Sequence, residues 1–305
     1  MNGSDLQTPE HHADVLARIR LKVNEEPDPA AAAARRQRSW DQLLEDWRSV
    51  FLEVYHFMSA LDHDQADGPT NCDQWTQKDL VAHHIMGDRL TLQAFSGGDG
   101  FDFRTLDDGP QRSRADDFIA EFRSVSYEEL VTQWKEGFET LFELSSSIEG
   151  DERYEQVPWA AVPISRIALL QARVSETWIH GWDSRWPQDA MTRFDDRCYW
   201  ITDLAVRTTI PYGLQKAGFE GLDGSVSLEF TGPGGGSWVR GLSDDPAPEH
   251  RVEGPAWVWL TLATRRWTEH VGWREGMGAD KQDILGLMTT NERGTSVLEA
   301  ARAFV

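Results

Sequence analysis

The sequence predicts a bundle of four long helices followed by a smaller α+β domain, an all-helical layer joined to a mixed α/β region. Three observations carry this expectation. Apolar residues recur at helical spacing in extended stretches between Trp40 and Pro187. Helix-start signals stand at Thr76 and Ser126. Beyond about residue 190 the apolar period switches to two, with turn residues between alternating runs. With 305 residues, 40% hydrophobic content and 14 Trp, the chain can bury two cores. The expected parts are an N-terminal arm and linker over 1–38, the bundle over 39–190 and the α+β domain over 191–305.

Thr8-Pro9-Glu10 reads as a cap with Pro at the first helical position, ahead of Val15, Leu16, Ile19 and Val23. EEPDPAAAAARRQR, from Glu25 to Arg38, mixes Pro, an Ala run and a basic cluster; it is expected to be a solvated linker, although the cluster would also suit an acidic partner or lipid. The first bundle helix carries Trp40, Leu43, Leu44, Trp47, Val50, Phe51, Val54, Phe57, Met58 and Leu61 on one face. Asp67-Gly68-Pro69 ends that region. The second helix opens at Thr76-x-x-Asp79, a capping-box pattern with Trp75 placed to staple onto Leu80, and turns Leu80, His83, Gly87 and Leu90 inward.

The polar stretch from Ser96 to Arg123 reads as a long excursion outside the core, with Phe101, Phe103 and Leu106 available to cover a cleft. A third helix follows the Ser126 cap, with Leu130, Trp134, Phe138, Leu141 and Phe142 on its apolar face, and a fourth is expected from near Pro163 through Ile167, Leu170 and Val174 to Pro187. One more helix is expected across Cys198 to Leu214. Val226, Leu228 and Phe230 then alternate with polar residues, and the turn from Thr231 to Gly236 leads to a strand with Trp238 and Arg240. Pro255 to Arg266 suits either a strand or a helix opened by Pro, and the tail from Thr295 is expected to be helical.

Composition narrows the function classes. A net charge of -21, from 51 acidic and 30 basic residues, repels a phosphate backbone and argues against nucleic acid as a partner. Cys72 and Cys198 are far apart and outside any C-x-x-C pattern, so neither a disulfide framework nor a zinc ribbon is indicated. No stretch approaches the roughly 20 apolar residues of a membrane span. A soluble, cytoplasmic protein without a membrane partner is expected.

The chemistry-bearing stretch is Arg173 to Pro187, RVSETWIHGWDSRWP. Glu176 and His180 are four residues apart, which puts both on one helix face about one turn from each other. An inward Glu is costly to bury unless something cationic compensates it, and a divalent metal would do so. His83, on the inward face of a separate helix, is a candidate third group. Alone, these features are more often those of a surface Glu/His pair and a hydrogen-bonded core histidine than of a metal site. The Gly-rich turn at Gly232 to Gly236 lacks the Gly-Lys-Ser/Thr of a phosphate loop and reads as a hairpin turn.

Two segments carry a family resemblance. Cys72 to His83, CDQWTQKDLVAH, resembles the Cys-x-x-Trp-Thr-x-x-Asp-Leu-x-x-His signature of the mycothiol-dependent maleylpyruvate isomerase family, within the DinB-like superfamily. Glu176-x-x-x-His180-x-Trp182-Asp183 is similar to that family's second signature, and the segment Leu228 to Gly236 resembles its C-terminal domain. The first thirty-eight residues lie outside the resemblance.

The resemblance implies a DinB-like bundle holding a divalent metal, usually zinc, through His83, Glu176 and His180. Three protein ligands and an open position suit a catalytic site. It further implies mycothiol, the small thiol of actinobacteria, as cosubstrate, held as its thiolate and added to an electrophilic carbon. Two departures stand out: the family often has Gly where this chain has Gln74, and often Leu where it has His84. His84 is therefore an alternative ligand, or a proton donor or substrate contact, although an adjacent residue is rotated by about 100° from His83. Asp183 is expected to orient His180 by accepting its other ring N–H. An Arg of the C-terminal domain assists catalysis in the family; Arg265 is the positional match and Arg240 the reserve, either able to pair with a substrate carboxylate. The expanded 96–123 segment favours thiol transfer over isomerisation. A metal-dependent hydrolase and a non-catalytic thiol-binding module remain the other classes.

Overall fold

The computed structural model describes residues 8–24, 28–72, 74–98, 101–102, 111–160, 163–209, 224–241, 249–264, 266, 284–291, 294 and 297–298. Up to Arg185 the elements are α1 (Pro9–Arg18), β1 (Leu21–Val23), α2 (Pro29–Arg36), α3 (Trp40–Ser59), α4 (His63–Ala66), α5 (Gln77–Phe95), β2 (Phe101–Asp102), α6 (Gln111–Phe122), α7 (Tyr127–Ser146), β3 (Gln156–Val157), β4 (Trp159–Ala160), β5 (Ile164–Ser165) and α8 (Arg166–Arg185). After it come β6 (Thr192–Phe194), α9 (Tyr199–Leu204), β7 (Ser225–Thr231), β8 (Gly236–Gly241), β9 (Glu249–Pro255), α10 (Ala256–Ala263) and β10 (Thr289–Thr290). They form two units, one spanning Arg38–Gln188 and the other combining Met1–Gln37 with Asp189–Val305.

In the first unit α3, α5, α7 and α8 make the helical bundle, α3 and α5 each packing on both α7 and α8. Each start is fixed by a side chain that satisfies an otherwise orphaned backbone N–H. Ser39 accepts from Gln42 N, Ser126 from Glu129 N and Ser165 from Ala168 N. Thr76 and Asp79 complete a reciprocal capping box. The α8 helix begins at Arg166 rather than near Pro163 because Ile164 and Ser165 pair with Val157 and Gln156 as strands. The apolar stripe of α3 is buried at Leu43, Trp47, Val50, Phe51, Val54 and Met58. Phe51 and Phe138 stack at 3.6 Å, and Trp47 and Trp134 meet them edge-on at 4.8 and 5.1 Å.

The polar 96–123 segment is not wholly an excursion. Its second half is α6, which packs on α5 and buries Ile119 and Phe122. Phe118, Ile119 and Phe122 make a short helical stripe that the surrounding Asp and Gly residues mask in the sequence. Phe103 and Leu106 lie outside the described residues.

In the second unit β7 to β10 form a four-stranded sheet in the order β10-β9-β7-β8, with β7 antiparallel to β8 and parallel to β9. Val226, Leu228 and Phe230 face the core as alternation requires. Within the ambiguous 255–266 stretch, Pro255 ends strand β9 and Ala256–Ala263 is helical: α10 is buried at every position, and a run so largely apolar and buried on all sides shows no periodicity to separate helix from strand. The helix expected across Cys198 to Leu214 is α9, continued by a π-helical turn over Ala205–Thr209. Its end and most of the tail lie outside the described residues.

The N-terminal residues read as an arm and linker are built into this unit. β1 pairs in parallel with β6, and the Ala run forms α2, capped by Asp28 with Pro29 at its first position. Ala has the highest helix propensity, so a capped Ala run next to a docking partner orders as helix. That partner is Asp196, which accepts from Arg35 and Arg36 at 3.2 Å each and from Gly234 N at 3.0 Å. Among the described residues no helix is long and apolar enough to cross a membrane.

Asp196 is 1% exposed. Replacing it with Ala strips a buried guanidinium of its counter-charge and is expected to cost about 3 kcal/mol. The measurement is the denaturant midpoint of this unit; an unchanged midpoint would mean the basic cluster is held by something else.

Candidate metal centre

The site is built where α5 and α8 face each other. Three turns of α8 carry polar side chains inward: Arg173, Glu176, His180, Asp183 and Ser184. Each meets a partner on α5 or on the loop before it. Ser184 Oγ donates to Gln77 Oε1, while Gln77 Nε2 donates to Ser184 O at 3.0 Å. Arg173 Nε donates to Asp88 Oδ1 at 3.0 Å, and both side chains are buried. The Arg173 guanidinium lies where the Cβ of any residue other than glycine at position 87 would sit, so Gly87 is what lets the two helices close over it.

Between these rungs, Glu176 Oε2 lies 3.2 Å from His83 Nε2 and 3.3 Å from His180 Nε2. Ligand atoms from His83, Glu176 and His180 all lie within 4.8 Å of one another. The two imidazoles are edge-to-face at 4.8 Å. Tetrahedral zinc with bonds of about 2.0–2.1 Å separates its N and O ligands by about 3.3 Å, so the spacing fits. The donor chemistry fits as well, with two imidazoles and one carboxylate. The cluster is open on one side: Glu176's side chain is 43% exposed, against 16% for His83 and 13% for His180.

The charges also favour a cation. Burial alone would raise the Glu176 carboxyl pKa, but hydrogen bonds from His180 and His83 outweigh it and hold it well below the usual carboxylate range. Burial would lower His180, but the Asp183 hydrogen bond, with Cys72 and Glu176 adding to it, holds that imidazole well above its ordinary value. His83 moves the other way, lowered by burial that its Glu176 hydrogen bond only partly offsets. A protonated His180 places positive charge directly against Glu176.

Asp183 Oδ2 is 2.9 Å from His180 Nδ1, which directs the ring's other nitrogen toward Glu176. His84 stands outside the ligand cluster. It is fully buried and stacks flat on Trp134 at 4.5 Å with its ring centre 5.8 Å from that of His180, and burial followed by repulsion from His180 keeps it neutral. One residue of rotation around α5 turns it from the site into the core. Arg265 lies outside the described residues. Arg240 is placed on β8 opposite Val226, in the other unit.

Sequence reasoning missed three groups. Cys72 Sγ lies 3.2 Å from Asp183 Oδ2, a contact with no pointer in the sequence, where Cys72 reads as unsuited to a disulfide and as the first residue of the resembled signature without a role. The Arg173–Asp88 pair left half a trace: Arg173 is three residues before Glu176 on one helix face, whereas Asp88, five residues after His83, is not at turn spacing from it. Trp75, expected to staple onto Leu80, has two contacts the sequence did not suggest: its ring lies 4.9 Å from that of His83 and its Nε1–H donates to Asp116 on α6 at 2.9 Å. Gln74 adopts φ +67°, the left-handed region, which accounts for the glycine that the resembled signature often carries there.

Residues 51–185 match the family model for the mycothiol maleylpyruvate isomerase N-terminal domain. An uncharacterised protein of Mycobacterium tuberculosis, found in strains CDC 1551 / Oshkosh and ATCC 25618 / H37Rv, is 28% identical over 222 residues, covering 72% of this chain and 84% of the relative. The crystal structure of the mycothiol-dependent maleylpyruvate isomerase is similar in fold, with a TM-score of 0.53 at 18% identity over 79% of this chain and 94% of that one.

Two outcomes are expected. Gln74→Gly relieves the left-handed strain and should raise stability by about 0.5–1 kcal/mol, read from thermal or denaturant melting. Metal uptake should be pH-dependent with a definite sign. A raised His180 pKa stabilises the metal-free fold fully below its unfolded value of about 6.5, and this contribution is lost as pH rises through the folded value. The same proton competes with metal, so affinity in chelator competition should rise as pH increases above about 6.5 toward the raised folded value of His180. A flat profile would contradict it.

Proposed function

Taking as premise that the chain is related to the mycothiol-dependent maleylpyruvate isomerase family and carries its DinB-like helical bundle, we propose that it is a metal-dependent thiol S-transferase. It uses mycothiol as the thiol and a small electrophilic metabolite as acceptor. The observation that carries this reading is the cluster of His83 Nε2, Glu176 Oε2 and His180 Nε2, which fits a divalent metal and stays open on the Glu176 side. Zinc bound there supplies a Lewis-acidic position that holds a thiol as its thiolate, the nucleophilic form.

The chain's own residues do the rest. Glu176 stays anionic and offsets the cation's charge between two imidazoles. Asp183 keeps the His180 proton on Nδ1, leaving the Nε2 lone pair free to ligate. Trp75, pinned by Asp116, walls the pocket beside His83 and limits water there. His84, Trp134 and the Arg173–Asp88 pair close the inward side with buried groups, so reactants enter from the exposed face. In transfer by displacement, sulfur would bond to the electrophilic carbon as that carbon's bond to its leaving group breaks, the leaving group taking the electron pair and solvent or that group taking the thiol proton. In addition across an activated double bond, the π pair would move to the activating carbonyl and the proton would follow it. Arg265, or Arg240 in reserve, is the proposed partner for a substrate carboxylate.

If the adduct is retained the reaction is transfer; if sulfur leaves again after rotation about a former double bond, the same addition gives isomerisation. The test is to incubate zinc-loaded protein with mycothiol and a panel of electrophiles and follow products by mass spectrometry. A sulfur adduct is expected. An isomer without adduct would replace transfer by isomerisation, and hydrolysis without thiol would replace both. His180→Ala should abolish metal loading, measured by elemental analysis; unchanged metal content would refute the ligand set.

A further inference from the structure

Asp183 has a second partner on the same oxygen that faces His180. Its Oδ2 receives His180 Nδ1–H at 2.9 Å and the Cys72 thiol at 3.2 Å, and Cys72 Sγ is itself 3.7 Å from His180 Nδ1. Asp183 is fully buried on α8, one turn beyond His180. Cys72 comes from the loop before α5, and that loop is fastened to α8 by its backbone, with Asn71 N donating to Asp183 O at 3.0 Å. Thr70 Oγ1 braces the loop from within: it accepts from Cys72 N at 3.1 Å and donates to Trp75 O at 2.9 Å or to Cys72 O at 3.1 Å. The left-handed Gln74 completes the turn that aims the thiol inward.

We infer that Cys72 is a positioning residue of the metal centre: its S–H donates to Asp183 Oδ2 and fixes the carboxylate that fixes His180. A buried carboxylate oxygen holding one donor can rotate about χ2 toward other partners; a second donor from a rigid loop pins it in the plane where it receives Nδ1–H. The tautomer of His180, and the direction of its Nε2 toward Glu176 and His83, then depend on a residue from another element. The resulting chain runs Cys72, Asp183, His180, and ties the segment that opens α5 to a ligand on α8. This inference rests on the reading of His180 as a metal ligand.

The same atoms admit a rival arrangement, since Cys72, His180 and Asp183 also lie close enough to share an ion. In that case Cys72 would be a ligand through its thiolate and not a donor through its thiol. Serine separates the two, because a hydroxyl replaces the donor but not a thiolate ligand.

The test measures zinc affinity by chelator competition in the full chain, for the wild type, Cys72→Ala, Cys72→Ser, Asp183→Asn and the Cys72→Ala/Asp183→Asn double variant. Cys72→Ala is expected to weaken binding about tenfold, the lower end of effects for groups that orient metal ligands, and Cys72→Ser to restore most of the loss. In the Asp183→Asn background, Cys72→Ala should add little, because both act on one oxygen. Cobalt substitution without added thiol should show no sulfur-to-metal charge-transfer band. Wild-type affinity in Cys72→Ala, or equal losses in the Ala and Ser variants, overturns the inference. So does a sulfur band that Cys72→Ala removes, which would make Cys72 a ligand. A wild-type chain that takes up no zinc refutes the metal reading itself and this inference with it, whereas normal uptake with an indifferent Cys72 refutes this one alone.

Discussion

A carboxylate carried inward on a bundle helix must meet positive charge, and the arrangement of α5 against α8 follows from how Glu176 meets it. Glu176 Oε2 sits between His83 Nε2 and His180 Nε2, so two imidazoles from two helices converge on one oxygen. Even at a half-exposed position, an inward carboxylate without these donors would lose much of its solvation uncompensated. The helices are thereby fixed in rotation and in register at this level. The flanking rungs, Gln77 with Ser184 and Asp88 with Arg173, repeat the constraint on either side. A mismatch at any rung strands a buried polar group, which makes the register more specific than apolar packing alone would.

The bundle's apolar half and its polar half meet at Trp134. Its ring closes the aromatic cluster of Phe51 and Phe138 on one side and lies against His84 on the other. His84 thus belongs to the wall behind the site, where burial keeps it neutral. The front is different: Glu176 is the most exposed member of the triad, and Trp75 stands at its edge under the control of Asp116 from the inserted helix α6.

Much of this was legible from local pattern. Capping side chains at Thr76 and Ser126, the one-sided stripe from Trp40, the hairpin around Gly232 to Gly236 and the Glu176/His180 spacing are all decided within a few residues, and the structure has each in place. What local pattern obscured were elements stabilised by distant partners. The Ala run of α2 has no apolar stripe of its own and orders against Asp196, some 160 residues away. The α6 helix is too polar to announce itself, and α10 too uniformly apolar.

By itself, then, the sequence determined the class of fold, the helix starts and the residue types able to bind a divalent metal, because these depend on periodicity and on chemistry at turn spacing. Only the tertiary structure decided which histidine faces the site. His83 and His84 are neighbours of one chemistry, and a rotation of about 100° around α5 sends one to Glu176 and the other to Trp134. It also decided that Cys72 reaches Asp183 and that Arg173 finds Asp88 over Gly87. Those contacts join residues about 85 to 111 positions apart, and no local pattern encodes a separation that only helix packing closes.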